Sequence, residues 1–439
     1  MVRHVKDTPA TWKAMLAISV AAGALLWHLL ACTESPMAFS PSGEDLVFVT
    51  VEPAPFSGKK MLAKGKVVYR LMVLSGGKEL RVVEQTSDEM LTAPAYSPDG
   101  KHICYLRIKL RSQEEMEAAD KRIESRKKQW EKLAPGEDLS ATEDLTLPPV
   151  EHAVEMVKGA ATGEPLPAAL VIRDAKTWKV FSTMWVDFPP GEYGGESLSM
   201  MYSLIRPQYS PDGKWIHYWD TQAAVAVDPT AKKRRILAAP ARIPTLSPDG
   251  KMLAIYLEKA IGLVSTDGQV AIYRRLKGEV APLGLTWKDK QTLAVLTESK
   301  PGKDREEAEW KIHLFKTDGT VAESIPLKLP ELELGKVFLE LALAPNGRHM
   351  IVCSGQDVLF MKADGKVLKH WKAGDKEVMM FRPTFTPDSK RVAFKRLTGK
   401  DELTRVSAIV FFTPEGKEIG RVAIPAAKRS ASKPAGEGS

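Results

Sequence analysis

The histidine, serine and carboxylate residues of this chain could perform acid–base, nucleophilic or metal chemistry, but their spacing matches no familiar catalytic motif. The eight histidines are scattered, and no His-Glu-x-x-His sequence is present. The stretch Gly195-Glu196-Ser197-Leu198-Ser199 lacks the second glycine of a nucleophile elbow. No phosphate-binding loop or dinucleotide-binding glycine motif occurs either. The sequence therefore predicts no catalytic residues, no bound metal and no cofactor.

The reactive side chains that do occur inside the chain fall in strand-like apolar runs. His217 lies within Trp-Ile-His-Tyr-Trp, so we interpret it as a packing residue rather than a general base. Cys104 and Cys353 also stand in apolar runs, where a free cysteine behaves as a small buried hydrophobic residue. No Cys-x-x-Cys spacing exists, so neither a disulfide framework nor a zinc site is predicted.

The third cysteine, Cys32, belongs to the N-terminal segment 1–32. Three basic residues precede an uncharged, mostly apolar stretch at 14–31, and Ala31-Cys32 then resembles a bacterial lipoprotein signal with Cys32 as the lipidated residue. An uncleaved membrane anchor and a cleaved signal peptide are the two alternatives. All three place the residues after 32 outside the cytoplasm, in the periplasm or on the cell surface and in most cases tethered to the membrane.

One pentapeptide, Ser-Pro-Asp-Gly-Lys, organises the rest of the chain and recurs letter for letter at 97–101, 210–214 and 247–251. Each copy precedes a short apolar run. Proline presets φ, aspartate bonds its own backbone and glycine accepts positive φ, so the motif is a hairpin turn and its residues are interpreted as structural. These residues are Pro98, Asp99, Gly100, Pro211, Asp212, Gly213, Pro248, Asp249 and Gly250.

Degenerate copies of the motif stand around Pro41, Lys288, Pro345 and Pro387, which gives seven units. The shortest spacings between successive copies are 37, 40 and 42 residues, the length of one four-stranded propeller blade. In several units a second turn with Asp-Gly or Glu-Gly follows. The sequence therefore predicts an all-β, seven-bladed propeller over 33–425, with six or eight blades as alternatives. It does not predict how the ring is closed.

The string Pro-x-Tyr/Phe/Leu-Ser/Thr-Pro-Asp-Gly/Ser-Lys resembles the WD-repeat-like unit of the TolB family of propellers, and the resemblance covers residues 36 to 425. The resemblance implies a propeller that binds other proteins. The small α/β domain that precedes the propeller in TolB has no counterpart between Cys32 and the first motif. A contact with the peptidoglycan-associated lipoprotein, which TolB makes, is therefore not carried over to this chain.

Three stretches interrupt or follow the repeats. Residues 109–166 separate two strands of the second blade and carry two capping signals, so we predict a helical insertion there, either a solvated hairpin or a partner-binding arm. Residues 186–204 form a second long connector. Residues 426–439 are rich in Ala, Lys, Ser and Gly and are predicted to be a disordered tail.

Two arginines are the only positional indication of a binding site. Arg206 and Arg382 each stand immediately before the proline of the predicted innermost strand of a blade, where Ala93 and Ile243 stand in two other copies. Both could therefore lie at one mouth of the central channel and bind an acidic group. The alternative is that they are solvated charges on the rim.

The net charge of +8 is spread along the chain without a basic stripe, so no nucleic-acid partner is predicted. The leading hypothesis is a non-catalytic scaffold of the cell envelope that binds a protein or peptide partner. One alternative is a lyase or hydrolase that acts on a small ligand at the channel mouth, and another is a membrane-tethered sensor that signals through the helical arm. Converging histidines and carboxylates in the channel would favour the enzyme, and an arginine-lined mouth would favour binding. The sequence leaves the oligomeric state open.

Overall fold

The structure is a computed structural model that describes residues 37–53, 67–110, 114, 166–188, 205–220, 223–230, 233–238, 242–257, 260–269, 271–275, 280–299, 309–327, 340–374, 378–400 and 403–426. Every element with described bounds is a β-strand, and the strands group into seven separate sheets. Each sheet is built from strands that are consecutive in the chain and pair antiparallel. The predicted all-β, seven-bladed propeller is confirmed.

The strands of the seven blades are as follows. Blade 1 contains β1 (Met37–Phe39), β2 (Leu46–Pro53), β3 (Val67–Ser75) and β4 (Glu79–Thr86). Blade 2 contains β5 (Glu89–Leu91), β6 (Ala95–Tyr96), β7 (His102–Lys109), β8 (Leu166–Asp174) and β9 (Val180–Phe188). Blade 3 contains β10 (Gln208–Tyr209), β11 (Ile216–Trp219), β12 (Ala224–Asp228) and β13 (Lys233–Ala238).

Blade 4 contains β14 (Arg242–Leu246), β15 (Met252–Leu257), β16 (Ala260–Ser265) and β17 (Ala271–Arg275). Blade 5 contains β18 (Val280–Trp287), β19 (Thr292–Ser299), β20 (Glu309–Lys316) and β21 (Val321–Leu327). Blade 6 contains β22 (Glu340–Leu343), β23 (His349–Cys353), β24 (Asp357–Lys362) and β25 (Val367–Lys372). Blade 7 contains β26 (Val378–Phe385), β27 (Val392–Lys400), β28 (Leu403–Phe412) and β29 (Glu418–Ala423).

The core lies between neighbouring blades, because the middle strands bury both of their faces. In β12, Val225 and Val227 pack with blades 1 to 3, whereas Ala224 and Ala226 pack against blade 4. Continuous apolar strands of this kind are expected where a sheet is covered on both sides. Each blade is thus stabilised mainly by its two neighbours, as in other repeat proteins.

The two faces of the ring differ in their connections. In each blade the turn between the first and second strands and the turn between the third and fourth strands lie on one face, which we call the turn face. Backbone bonds join the two turns, for example from Ala175 N to Lys101 O and from Thr266 N to Lys251 O. The opposite face, which we call the connector face, carries the links between second and third strands and between successive blades. The long stretches 54–66, 111–165, 189–204, 300–308 and 328–339 all depart from the connector face.

The Ser-Pro-Asp-Gly-Lys turns have the predicted geometry and one further role. In the first complete copy, Asp99 accepts hydrogen bonds from Ser97 Oγ at 2.7 Å and from Lys101 N at 3.1 Å, and Gly100 has φ 71°. In four blades the glycine of the turn also lies next to the proline of the turn in the preceding blade. The pairs are Gly100 on Pro41, Gly213 on Pro98, Gly250 on Pro211 and Gly43 on Pro387. The motif therefore links adjacent blades as well as adjacent strands.

Face packing closes the ring, since blades 1 and 7 share no strand. Phe48 and Met72 of blade 1 pack against Ile409 and Phe411 of blade 7. The fully buried Lys395 of β27 donates from Nζ to Val49 O at 2.6 Å across this seam. Further bonds run from Arg391 to Gly43 O and from Arg70 to Pro425 O, both 2.9 Å long.

Several predictions fall on residues outside the described part of the chain. These are the signal or anchor at 1–32 with Cys32, the interior of the helical insertion, the connector at 189–204 and the tail after 426. Lys109 and Leu166, the predicted bounds of the insertion, are the last residue of β7 and the first of β8. None of the described segments forms a helix with the length and hydrophobicity of a bilayer span.

Candidate functional site

The site is built on one position of the innermost strand, five residues before the proline of the turn motif. In blades 2 to 7 this position is occupied by Ala93, Arg206, Ile243, Leu283, Glu340 and Arg382. The strand ladder is interrupted there in blades 4, 5 and 7, where the register shifts between residues 242 and 245, 282 and 284, and 381 and 384. Proline cannot donate to the ladder, and a bulge redirects the neighbouring side chain. In blade 7 this irregularity falls at Arg382, whereas in blade 6 Glu340 pairs with Cys353 in regular register.

Arg382 and Glu340 form a buried ion pair between blades 7 and 6. A guanidinium nitrogen of Arg382 lies 2.6 Å from Glu340 Oε1, and the backbone N–H of Arg382 donates to Glu340 Oε2, also at 2.6 Å. Arg382 is only 6% exposed and has φ 56°, a left-handed conformation that is uncommon for a residue with a side chain. Conformations of this kind concentrate at functional sites. Here the backbone conformation aims the N–H at the carboxylate.

Arg206 of blade 3 lies close enough to this pair to interact electrostatically with both of its members. Its side chain is half-buried, and its Nε is buried without a hydrogen-bond partner in the part of the chain that the structure describes. Burial, reinforced by the positive charge of Arg382 and opposed by Glu340, lowers the pKa of Arg206 to about 10. Arg206 remains a cation at neutral pH, and its Nε–H is available to an acceptor.

Two members of the cluster lie at the connector-face ends of innermost strands. Arg206 lies two residues before β10, and Glu340 is the first residue of β22. Both positions stand where the chain enters the innermost strand from the preceding blade. The long connections at 189–204 and 328–339 lead directly into these two strands. Arg206 and Glu340 therefore lie toward the connector face, and the turn residues Asp99, Asp212 and Asp249 lie on the turn face.

The cluster can hold an anion but has no acid–base pair. Two guanidinium groups lie within electrostatic range of one carboxylate, and Arg382 already binds that carboxylate through its side chain and backbone. The nearby thiol of Cys353 donates to Met380 O at 2.8 Å, and burial raises its pKa far above the ordinary value, so it stays protonated. Among the described residues, no group of three or more His, Cys, Asp or Glu is placed to hold a metal ion.

Three of the described histidines bond or pack within the blades. His370 lies 2.6 Å from the buried Asp357, and His313 lies 2.7 Å from Ser324 on the outer strands of blade 5. His217 is buried between blades 3 and 4 beside Ala226 and Arg235. Its predicted packing position agrees with this placement.

Sequence reasoning singled out Arg206 and Arg382 and missed Glu340. The structure places the two arginines within electrostatic range of each other, and their role in binding stays a prediction. Glu340 escaped notice because blade 6 has Leu341 at the position where blades 2, 3, 4 and 7 have proline. Counting five residues back from Pro345, as for Arg206 and Pro211, would have identified it.

Comparison with known proteins finds similarity to solved structures only. No family model matches the chain, and no curated protein matches it, so the predicted TolB-type assignment stays a prediction. Among solved structures, the chain is similar to the hydrazine synthase of Kuenenia stuttgartiensis at 12% identity and TM-score 0.48, covering 82% of this chain and 92% of that one. It is also similar to an oligogalacturonate lyase in complex with manganese at 12% identity and TM-score 0.49, covering 85% and 89%. A chain of a mitotic checkpoint complex matches at 9% identity and TM-score 0.47, covering 85% and 86%.

Proposed function

We propose that this protein is a non-catalytic propeller that binds a protein or peptide partner through an acidic group at Arg206. The observation that carries the proposal is the buried Nε of Arg206, which has no acceptor among the described residues although it lies beside a second arginine. An unsatisfied buried donor is costly, and a carboxylate that accepted from it would form a charge-assisted bond. The site is therefore suited to an acidic ligand.

The surroundings of Arg206 support a macromolecular partner. The long connections 111–165, 189–204 and 328–339 depart from the same face as the cluster, and binding residues are commonly carried by loops on a rigid scaffold. The N-terminal sequence predicts that the propeller lies outside the cytoplasm, so the partner is to be sought in the cell envelope.

The described residues favour binding over the lyase or hydrolase alternative. No described histidine bonds to the arginine cluster, and its one carboxylate is held by Arg382. A general acid or base must reach a substrate proton directly or through one water molecule, and Glu340 is engaged at both oxygens. Two arginines at the channel mouth would suit a binding protein better than an enzyme.

The proposal is tested by selecting random peptides on the immobilised protein and measuring the best binders by isothermal titration calorimetry. We expect the selected peptides to share a carboxylate at one position. Arg206→Gln should bind them roughly tenfold to hundredfold more weakly, because a charge-assisted hydrogen bond is lost. Arg421→Gln is the control, since Arg421 is an exposed arginine paired with Glu418 on β29. Equal affinities for wild type and Arg206→Gln would refute the role of Arg206.

A further inference from the structure

We infer that the channel-mouth cluster selects a single carboxylate over dianions such as sulfate or a phosphate monoester, and that Glu340 sets this selectivity. The inference rests on the proposed function, because it specifies the ligand of the same site. It makes Glu340 a specificity-determining residue that acts through charge.

The first step is the count of charges. Arg206 and Arg382 contribute two positive charges and Glu340 one negative charge, so the cluster retains one positive charge. An anion of charge −1 neutralises this excess. A dianion leaves one negative charge in a half-buried site close to the carboxylate of Glu340, where like charges repel strongly.

The second step is the occupancy of the donors. The backbone N–H and one guanidinium nitrogen of Arg382 each lie 2.6 Å from a different oxygen of Glu340. Glu340 therefore binds Arg382 in the way that a ligand carboxylate would, and both carboxylate oxygens of Glu340 are engaged. Arg206 is left as the guanidinium whose Nε has no acceptor among the described residues. One planar guanidinium matches one carboxylate.

The third step is the rigidity of this arrangement. Arg382 is buried, and its positive φ of 56° fixes the N–H that faces Glu340. The Glu340 side chain is only 16% exposed. Since the pair is held between blades 6 and 7, an incoming anion does not displace Glu340 and meets its charge instead. The ligand class is thus a carboxylate, from either a chain terminus or an Asp or Glu side chain.

The test compares monoanions and dianions at Arg206 itself. Protein labelled with nitrogen-15 in arginine is titrated with acetate and with sulfate, and the Nε–H resonance of Arg206, assigned by its loss in Arg206→Lys, reports binding. Wild type should bind acetate at least as tightly as sulfate. Glu340→Gln keeps an oxygen for the Arg382 N–H and removes the charge, so both anions should bind more tightly. Coulomb energy scales with ligand charge. If the affinity for acetate rises roughly threefold in this variant, the affinity for sulfate should therefore rise roughly tenfold.

Three further arms make the result decisive. Glu418→Gln removes a carboxylate that pairs with Arg421 on the outer strand of blade 7, and it should change neither titration. The double variant Glu340→Gln/Arg382→Gln restores one net positive charge and should restore the acetate preference, which also covers the case in which Glu340→Gln alone does not fold. N-Acetylalanine and propionate separate a chain terminus from a side chain as the source of the carboxylate.

Equal gains for acetate and sulfate in Glu340→Gln, or a wild-type preference for sulfate, would overturn the inference. Failure of the peptide selection would count against a peptide partner but would leave these titrations readable, because they use small anions. The opposite result is also informative. If Arg206→Gln loses peptide binding but Glu340→Gln keeps the wild-type preference between acetate and sulfate, the proposed function stands and Glu340 does not set the selectivity.

Discussion

His217 is an uncharged histidine in the interior of the propeller, and its environment makes stability depend on pH. It is only 3% exposed. Burial, reinforced by the positive charge of Arg235 and opposed by the Gln208 backbone and by Asp212, lowers the pKa of His217 to about 4 from 6.5. Between these two pH values the unfolded chain takes up a proton that the folded chain does not.

The free energy of unfolding should therefore decrease as the pH falls from 6.5 to 4. The contribution of His217 is roughly 3 kcal/mol, since each unit of pKa difference corresponds to about 1.4 kcal/mol. Urea unfolding of wild type and His217→Leu at several pH values in this range measures the contribution. The difference between the two proteins in the pH dependence of the free energy of unfolding should grow toward low pH. Parallel curves would show that His217 is protonated or solvated in the folded state.

At the scale of single residues the sequence predicted Arg206 and Arg382 from their register but not their electrostatic partner. Arg206, Glu340 and Arg382 lie in blades 3, 6 and 7, and contacts across a ring depend on how many blades separate two residues. A repeat alignment gives the position of each side chain within its blade. Whether a given arginine meets a carboxylate or a second arginine depends on the assembled ring.

At the scale of the turn, the Ser-Pro-Asp-Gly-Lys motif performs two tasks that can be separated by mutation. Gly213 and Gly250 occupy the same place in two copies and have φ 71° and 72°. A Cβ atom on Gly213 would lie 3.9 Å from Pro98 Cδ, an ordinary contact. On Gly250 it would lie 2.4 Å from Pro211 Cδ, which is a severe overlap.

We expect Gly213→Ala to destabilise the protein by about 1 kcal/mol, the cost of an alanine in the left-handed region. Gly250→Ala should lower the free energy of unfolding by roughly 1 to 3 kcal/mol more than Gly213→Ala does, because the turns of blades 3 and 4 must separate. Chemical denaturation of the two variants gives the comparison. Equal destabilisation would mean that the turns of adjacent blades do not depend on close packing.

The strands and turns were largely predictable, and the interruptions of the innermost strand were not. Proline and glycine positions identified the hairpins because their backbone preferences are local. The break between β5 and β6 and the bulge at Arg382 arise where Pro94 and Pro383 leave the ladder. The prolines were visible in the sequence, but the direction of the displaced side chain depends on the neighbouring strand.

At the scale of the whole molecule, the blade number followed from the repeat spacing, whereas the closure did not. Closure by face packing has no sequence signature, because Phe48, Met72, Ile409 and Phe411 look like any other core residues. An unusual member of the seam is Lys395, which is fully buried. It follows the apolar residues Val392, Ala393 and Phe394, and its acceptor Val49 O lies at the other end of the chain.

Replacing Lys395 with alanine should weaken the seam. The variant loses the hydrogen bond to Val49 O and leaves a cavity, which together cost about 2 to 4 kcal/mol. Lys390→Ala is the matched control, because the Lys390 side chain is 82% exposed on the same blade. Urea unfolding should separate the two variants clearly. A loss below about 0.5 kcal/mol in both would show that Lys395 contributes little to closure.

The seam between blades 1 and 7 also bears on how the protein is made. Lys395 and Val49 are 346 positions apart, so the apolar face of blade 1 meets its cover only when the last blade has been translated. At ordinary synthesis rates that delay is roughly 20 to 70 s. During this time Phe48, Met72 and Leu74 have no native partner in blade 7, and the nascent chain depends on chaperones or on delayed folding to avoid aggregation.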